Sequence, residues 1–157
     1  MAKQPTSSEV RIFPPAIHLA AIAIGFFLQW IVPLRIGAKG RPLELAAGWT
    51  LLAVAVALMS WAGIAMLRAG TTPNPTRPTT ALVTHGPFRF TRNPMYLAWE
   101  LVCVGIGLAA NALWLIVMAL PAARLTRRLI IDKEERYLEA KFGAEYLDYK
   151  ARVRRWA

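Results

Sequence analysis

The chain has 157 residues, of which 56% are hydrophobic, and a formal net charge of +10. A water-soluble domain of this size needs more polar surface than this composition supplies, so we predict an integral membrane protein. The basic residues lie at the ends of apolar runs, which excludes nucleic acid as the expected partner and favours membrane lipids with anionic headgroups. The single cysteine, Cys103, lies within an apolar run, so neither an intrachain disulfide nor a multi-cysteine metal site is expected.

Two apolar runs in the first half of the chain are predicted to be transmembrane helices. A polar and flexible cytoplasmic tail is expected over residues 1–11. Residues 12–34 then contain only two strongly polar side chains, His18 and Gln29. A short turn-rich loop separates this run from residues 45–67, which carry no charged side chain. Each run has about the 20 residues that a helix needs to cross a bilayer.

A basic, turn-rich segment between apolar runs is the first candidate for chemistry. It reads His85-Gly86-Pro87-Phe88-Arg89-Phe90-Thr91-Arg92-Asn93-Pro94-Met95-Tyr96, and we call it the central segment. Gly86-Pro87 predicts a turn, and Pro94 is predicted to begin a helix. Arg89 and Arg92 would therefore lie at a helix N-terminus, where unpaired N–H groups and the helix dipole favour a carboxylate or phosphate. We therefore infer that this segment binds an anionic ligand.

The third apolar region allows two interpretations. As one helix, residues 95–123 would extend ~43 Å, which is long for a single span. Alternatively, a break at Asn111 produces two helices over residues 95–110 and 112–131 that form a hairpin. The hairpin places 16 of the 19 basic residues on one side of the membrane, against 13 for the single span. The positive-inside rule therefore favours the hairpin and a cytoplasmic C-terminus.

Glu100 lies in the apolar run that follows Pro94. A carboxylate without a partner in hydrocarbon costs several kcal/mol, so an acidic residue at this depth is a candidate catalytic residue. The structural alternatives are an ion pair with a nearby arginine or a shallow position at the headgroups.

The C-terminal region changes to an amphipathic pattern. The fourth helix is predicted to leave the bilayer and to continue along the membrane surface. Gly143 predicts the end of this helix, and residues 144–153 predict a short last one. The acidic pair Glu134-Glu135 belongs either to a solvated face or to the side of the membrane that carries the central segment.

Four short motifs occur in order along the second half of the chain. They are Leu82-Val83-Thr84-His85-Gly86-Pro87-Phe88-Arg89, Arg92-Asn93-Pro94-Met95-Tyr96, Glu134-Glu135 and Phe142-Gly143-Ala144-Glu145-Tyr146-Leu147-Asp148-Tyr149. This set resembles the integral membrane methyltransferases of the isoprenylcysteine carboxyl methyltransferase and phospholipid methyltransferase family. The resemblance covers Thr80 to the C-terminus. It implies that two segments enclose S-adenosylmethionine at the cytoplasmic face of the membrane, and that a lipid substrate enters from the bilayer. We expect the membrane to be a bacterial or archaeal cytoplasmic membrane.

The helix terminus and the resemblance together indicate a set of candidate cofactor-binding residues. They are His85, Gly86, Pro87, Arg89, Arg92, Asn93, Pro94, Tyr96, Glu134 and Glu135. The candidate catalytic residues are Arg92, Glu100 and Glu135. The family usually has histidine where this chain has Asn93. Because asparagine cannot titrate, we expect a binding role there and no proton transfer.

The sequence therefore predicts an all-α membrane protein with about four transmembrane helices and a cytoplasmic amphipathic C-terminal region. Residues 12–157 would form one domain, with residues 80–94 and 132–157 as the cofactor-site segments. The expected activity is methyl transfer from S-adenosylmethionine to a lipophilic or amphipathic acceptor, such as a prenylcysteine carboxylate or another lipid-like nucleophile. Such a transfer needs alignment of the reactants, and an ionised carboxylate acceptor needs no general base.

Two other functions are compatible with the same sequence. One is a membrane sterol-type NADPH-dependent reductase, because such proteins resemble the same motif set. The other is a non-catalytic membrane protein that binds anionic lipid. The oligomeric state stays open, because Gly105 and Ala109 can serve either a dimer or an internal helix contact.

Overall fold

The computed structural model describes residues 13–37, 42–74 and 77–156, so the predicted tail and part of the first loop lie outside the described residues. All regular structure in these ranges is helical, which confirms the all-α prediction. The α-helices are α1 (Pro14–Ile31), α2 (Pro42–Arg68), α3 (Pro94–Ala109), α4 (Leu113–Thr126), α5 (Asp132–Phe142) and α6 (Ala144–Arg152). A short 3₁₀ helix covers Gly86–Arg89, and a π-helical segment covers Arg127–Ile131.

Local chemistry accounts for several helix ends. Pro94 begins α3, as its fixed φ and missing N–H favour. Gly143, at φ 54°, separates α5 from α6. Asn111 has φ 53° and lies between α3 and α4, so a single continuous helix over residues 95–123 is wrong. The predicted helix over residues 112–131 is also interrupted, because regular α-helix ends at Thr126 and the π-helical segment follows.

One helix in the described part of the chain, α2, is long and apolar enough to cross a membrane. It has 27 residues and its only charged side chains are Glu44 and Arg68, close to its ends. The helices α1 and α3 are apolar but shorter. Length and composition therefore identify one candidate span among the described residues, against the four that the sequence predicts.

The chain forms two compact units. The first, which we call the bundle unit, consists of Phe13–Ala57 and Tyr96–Thr126. The second, which we call the motif unit, consists of the described residues within 58–95 and 127–156.

Glycines allow close helix packing in the bundle unit. Helix α1 packs along α4. A Cβ atom at Gly25 would lie 3.1 Å from Leu115 Cα, so these helices approach closely. A Cβ atom at Gly48 of α2 would lie 2.7 Å from Ala109 N and 2.8 Å from Gly105 O of α3. The small residues Gly105 and Ala109 therefore serve an internal helix contact.

Polar groups fasten the loop after α1 to the turn that contains Asn111. The side-chain Oδ1 of Asn111 accepts a hydrogen bond from Ile36 N at 2.8 Å, and its Nδ2 donates to Gly37 O at 3.2 Å. Trp114 Nε1 donates to Val32 O at 2.9 Å. These bonds satisfy main-chain groups of the loop that follows α1.

In the motif unit, the loop between α2 and the central segment folds back, so that its later residues bond to its first ones. Thr80 Oγ1 donates to Gly70 O at 2.6 Å, and Thr80 N donates to Thr71 Oγ1 at 3.1 Å. Thr79 N donates to Tyr137 Oη at 3.2 Å, which ties this loop to α5. The loop is thus held at both of its ends.

We predict that Gly48→Ala destabilises the protein whereas Gly63→Ala does not. The added methyl group at Gly48 meets main-chain atoms that cannot move aside cheaply, so the free energy of unfolding should fall by about 1–3 kcal/mol. Gly63 lies on the same helix with nothing within 4 Å of its Cβ position, and alanine there should be neutral or stabilise by up to about 1 kcal/mol. Thermal unfolding of both variants in the same detergent measures the difference, and equal melting temperatures would contradict the packing described above.

Candidate functional site

The central segment begins with the predicted turn. Gly86 has φ 63°, a left-handed conformation that favours glycine, and the 3₁₀ helix that starts there has Pro87 buried. A Cβ atom at Gly86 would lie 3.2 Å from Trp61 Nε1 and 3.4 Å from Ala65 Cβ. The main chain therefore runs close along α2, while His85 is exposed at the start of the turn.

Arg92 and Glu135 form a nearly buried ion pair. Arg92 Nη2 lies 3.0 Å from Glu135 Oε1, and the two side chains are only 9% and 6% exposed. Arg92 Nη1 donates to Lys150 O at 3.3 Å. Arg92 Nε is buried and has no hydrogen-bond partner among the described residues. The guanidinium of Arg92, for which an anionic ligand was predicted, thus directs both of its terminal nitrogens to protein groups.

A second arginine, Arg155, binds the same carboxylate from residues 153–156, which follow α6 and which we call the C-terminal segment. Arg155 Nε donates to Glu135 Oε1 at 3.0 Å, and Nη2 donates to Oε2 at 2.7 Å. Arg155 Nη1 also lies 3.1 Å from Asp132 Oδ1. The hydrogen bonds to Glu135 raise the pKa of Arg155 above its ordinary value, although partial burial opposes the shift. Glu135 therefore lies between two guanidinium groups.

The main chain around Arg155 is attached to the central segment as well. Thr91 Oγ1 and Asn93 Nδ2 both donate to Arg155 O, at 2.9 and 3.1 Å. Arg92 N donates to Arg154 O at 3.0 Å. Asn93 is buried, and its amide links the turn before α3 to the C-terminal segment without any titration.

Two buried tyrosines of α6 complete this cluster. Tyr149 Oη donates to Phe88 O at 2.8 Å, and the ring of Tyr146 meets that of Tyr149 edge-on at 6.1 Å. Burial raises the pKa of Tyr149 to about 12, although the charge of Arg92 opposes this. Burial and the negative charge of Glu135 also raise the pKa of Tyr146. Both phenols therefore stay protonated and can donate hydrogen bonds at neutral pH.

The structure brings some of the predicted site residues together and leaves others apart. Arg92, Asn93 and Glu135 meet through Arg155 in the motif unit. Arg89 is exposed, with its guanidinium 6.0 Å from the centre of the Phe90 ring. The remaining candidates differ in exposure: Pro94 and Tyr96 are buried, and Glu134 is half-buried on α5.

Glu100 belongs to the bundle unit and has a partner that sequence reasoning did not identify. His18 Nε2 lies 2.8 Å from Glu100 Oε1. An ion pair with a nearby arginine was one structural alternative for Glu100, and its partner is a histidine instead. Both residues were noted in the sequence, but no local pattern joined them, because they lie on different helices.

The acidic and histidine side chains of the described residues form no group of three or more that could hold a metal ion. The motif unit contains instead the charged cluster of Arg92, Glu135 and Arg155. Its buried donor, Arg92 Nε, can serve an acceptor group such as a carboxylate or hydroxyl oxygen.

A family profile described as phospholipid methyltransferase matches residues 43–145, which is about two thirds of the chain. The chain belongs to the phospholipid methyltransferase family. This confirms the resemblance on which the sequence analysis relied, and the family points to a methyltransferase in general. The matched range contains both Arg92 and Glu135 but ends before Arg155, so Arg155 lies outside the part of the chain that the profile describes.

A second similarity covers a short part of the chain. An uncharacterized protein of Haemophilus influenzae is 65% identical to this chain over 26 residues, which is 17% of this chain and 41% of that protein. The chain thus matches about two fifths of the length of this relative. No solved structure matches the chain.

We predict that Arg155→Lys lowers the free energy of unfolding and that Arg154→Lys does not. Lysine keeps the charge but cannot make the fork on Glu135 and also reach Asp132, which should cost about 1.5–3 kcal/mol. The side chain of Arg154 is exposed, so its replacement should change stability by less than about 0.5 kcal/mol. Thermal unfolding of the two variants side by side measures the difference. A stability for Arg155→Lys equal to that of Arg154→Lys would show that the fork contributes nothing.

Proposed function

We propose that this phospholipid methyltransferase family member transfers a methyl group from S-adenosylmethionine to a lipophilic or amphipathic acceptor at a membrane. The observation that supports the proposal most directly is the buried ion pair between Arg92 and Glu135. It joins the central segment to α5, and these are the two segments that the motif resemblance assigns to the cofactor. Two distant segments that carry complementary charges in one buried cluster suit a ligand with both positive and negative groups.

S-adenosylmethionine carries a carboxylate, an ammonium, a sulfonium and two ribose hydroxyls. Arg92 Nε is a buried donor without a protein partner among the described residues, and we assign it to a carboxylate or hydroxyl oxygen of this cofactor. Glu135 is already engaged by Arg92 and Arg155, so its role in the proposal is to orient Arg92. Glu134, half-buried on the same turn of α5, is assigned to the ammonium or the ribose hydroxyls.

The other candidate residues act through the main chain or through shape in this proposal. Gly86 and Pro87 form the turn that begins the central segment, and His85 lies exposed beside it. Asn93 and Pro94 hold the start of α3, which leads to Tyr96. Arg89 is exposed, and we assign it to an anionic headgroup or to the outer rim of the site.

A membrane location is supported by large apolar side chains that the bundle unit leaves exposed. Trp30 is 79% exposed, Leu43 81% and Trp49 63%. Many exposed apolar side chains of this size suit contact with lipid or with another protein. We propose that α1 to α4 are four membrane helices, with α3 and α4 as a hairpin, and that the central segment and the C-terminus face the cytoplasm.

Methyl transfer under this proposal depends on alignment. The nucleophile of the acceptor forms a bond to the methyl carbon, and the bond between that carbon and sulfur breaks with its electrons passing to sulfur. The buried charges of the Arg92–Glu135–Arg155 cluster hold the reactants with little reorganisation, which is how preorganised groups lower a barrier. Neither the sterol-type reductase nor a non-catalytic lipid-binding role gains support from the comparisons.

We expect purified protein to bind S-adenosylmethionine and not NADPH, and Glu134→Gln and Glu135→Gln to weaken that binding about tenfold or more. The loss in Glu134→Gln corresponds to the ~1.5–3 kcal/mol of a hydrogen bond to a charged group. The loss in Glu135→Gln follows because Arg92 loses the carboxylate that orients it. Glu145→Gln is the matched control, because Glu145 is exposed on α6. Calorimetric titration measures all four proteins. An absence of binding by the unmodified protein would overturn the proposed function, whereas equal affinities in all variants would overturn only the assignment of the carboxylates.

The proposed topology predicts the face from which introduced cysteines react. Phe90→Cys and Glu145→Cys replace exposed residues of the motif unit, so they should react with an impermeant thiol reagent only from the cytoplasmic face. Arg35→Cys, in the exposed loop after α1, should react only from the opposite face. The native Cys103 is buried and should stay silent. Reaction of positions 35 and 90 from one common face would contradict the four-helix arrangement.

A further inference from the structure

The carboxylate of Glu135 is shared unequally between its two arginines. Arg155 donates from Nε to Oε1 at 3.0 Å and from Nη2 to Oε2 at 2.7 Å, so it makes a complete fork. Arg92 has a single contact, from Nη2 to Oε1 at 3.0 Å. The lone pairs that point the same way from the two oxygens of a carboxylate suit one fork only. Arg155 therefore excludes Arg92 from a fork on Glu135.

This unequal sharing accounts for the free donor of Arg92. In a guanidinium, Nε and Nη2 lie on one edge, and the fork of Arg155 shows that this edge matches the carboxylate. The Nη2 of Arg92 already lies against Oε1, so its Nε is the donor that would turn to Glu135 if Arg155 were absent. Instead, Arg92 Nε is buried and has no hydrogen-bond partner among the described residues.

The C-terminal segment also holds the main chain on which Arg92 stands. Arg92 N donates to Arg154 O at 3.0 Å. The neighbours of Arg92 on either side, Thr91 and Asn93, both donate to Arg155 O, at 2.9 and 3.1 Å. One segment thus fixes where the side chain of Arg92 begins and limits what its guanidinium can bind.

Asp132 keeps Arg155 in this place. Arg155 Nη1 lies 3.1 Å from Asp132 Oδ1, so all three of its guanidinium nitrogens are directed at carboxylates of α5. The side chains of Arg155 and Asp132 are 23% and 36% exposed, against 6% for Glu135. The cluster is therefore most open to solvent at Arg155 and Asp132.

A purely structural role for Arg155 explains its fork but not the free donor beside it. A buried carboxylate needs charged partners and hydrogen bonds, and Arg92 could supply two such bonds by itself, from Nε and Nη2. The protein instead directs a second guanidinium to Glu135 and leaves a buried N–H of Arg92 unsatisfied. A donor in this state lowers stability, so it calls for a functional explanation.

We propose that Arg155 is a positioning residue, which keeps Arg92 Nε available for S-adenosylmethionine by occupying the fork on Glu135. The inference rests on the proposed function, in which Arg92 Nε donates to a carboxylate or hydroxyl oxygen of the cofactor. Arg155 acts through Arg92 and does not itself contact the cofactor. Without the fork of Arg155, Arg92 turns Nε to Glu135 and loses the donor that binds the ligand.

The deciding variant is Arg155→Lys, because an ammonium keeps the charge but cannot make the fork. We expect its S-adenosylmethionine affinity, measured by calorimetric titration, to fall at least about tenfold, the size of one hydrogen bond to a charged group. Arg154→Lys is the matched control and should bind normally, because its side chain is exposed and its main-chain carbonyl is retained. Equal affinities in the two variants would overturn the inference. Failure of the unmodified protein to bind S-adenosylmethionine would instead overturn the proposed function.

A variant of reduced stability separates positioning from folding. Gly48→Ala is predicted above to destabilise the protein through helix packing in the bundle unit, without touching Glu135 or its arginines. We expect it to keep the S-adenosylmethionine affinity of the unmodified protein at a temperature below the melting transitions of all variants. An equal loss of affinity in Gly48→Ala and Arg155→Lys would attribute the loss to stability and overturn the inference.

A double variant tests whether Arg155 acts through Arg92. Arg92→Lys removes the Nε donor, so it should weaken binding of S-adenosylmethionine by itself. In that background, Arg155→Lys has no Nε donor left to withdraw and should cause no further loss of affinity. Two single losses that simply add in the double variant would show that Arg155 acts independently of Arg92, which would contradict the inference.

Nitrogen NMR of the arginine Nε–H groups follows the donor directly, and Arg92→Lys assigns its signal. We expect the Arg92 Nε proton to lie upfield, as an unbonded N–H does, in the unmodified protein and to move downfield when S-adenosylmethionine is added. In Arg155→Lys the same proton should lie downfield before any cofactor is present. A downfield signal in the unmodified protein without cofactor, or an unchanged signal in Arg155→Lys, would overturn the positioning role.

Discussion

The carboxylate of Glu135, held between the guanidinium groups of Arg92 and Arg155, is the interaction on which the motif unit depends. Removing a carboxylate from water costs several kcal/mol, and only well-placed partners compensate for it. The carboxylate and its two partners come from three separate parts of the chain: α5, the central segment and the C-terminal segment. Each part therefore stabilises the others, and the cluster is complete only when all three have folded.

Much of the fold could be predicted because single residues set several of the helix ends. Pro94 begins a helix by its own covalent structure, and Gly143 and Asn111 mark helix ends because they tolerate positive φ. The π-helical segment over Arg127–Ile131 could not be predicted, because it contains neither proline nor glycine and its sequence suits an ordinary helix. Where tertiary packing decides the conformation of a segment, the local sequence does not predict it.

The candidate site could be predicted in part, because some of its residues lie in short sequence motifs. Arg92 and Glu135 stand in recognisable motifs, so sequence indicated both, although it assigned them to a ligand and not to each other. Arg155 lies in a basic run beside Arg152 and Arg154, and only the folded chain distinguishes the three. The His18–Glu100 pair was hidden likewise, since each residue alone suggests several roles and only the packing of α1 and α3 joins them.

The cluster of Arg92, Arg155, Glu135 and Asp132 carries no net charge, so the overall charge of +10 belongs to other residues. Arg124, Arg127 and Arg128 are exposed examples. Salt screens exposed charges over about 8 Å at physiological ionic strength but hardly reaches a buried pair. Concentrated salt should therefore weaken the contacts that these exposed arginines make with anions during purification while the buried cluster stays intact, which separates the two kinds of electrostatic contact in practice.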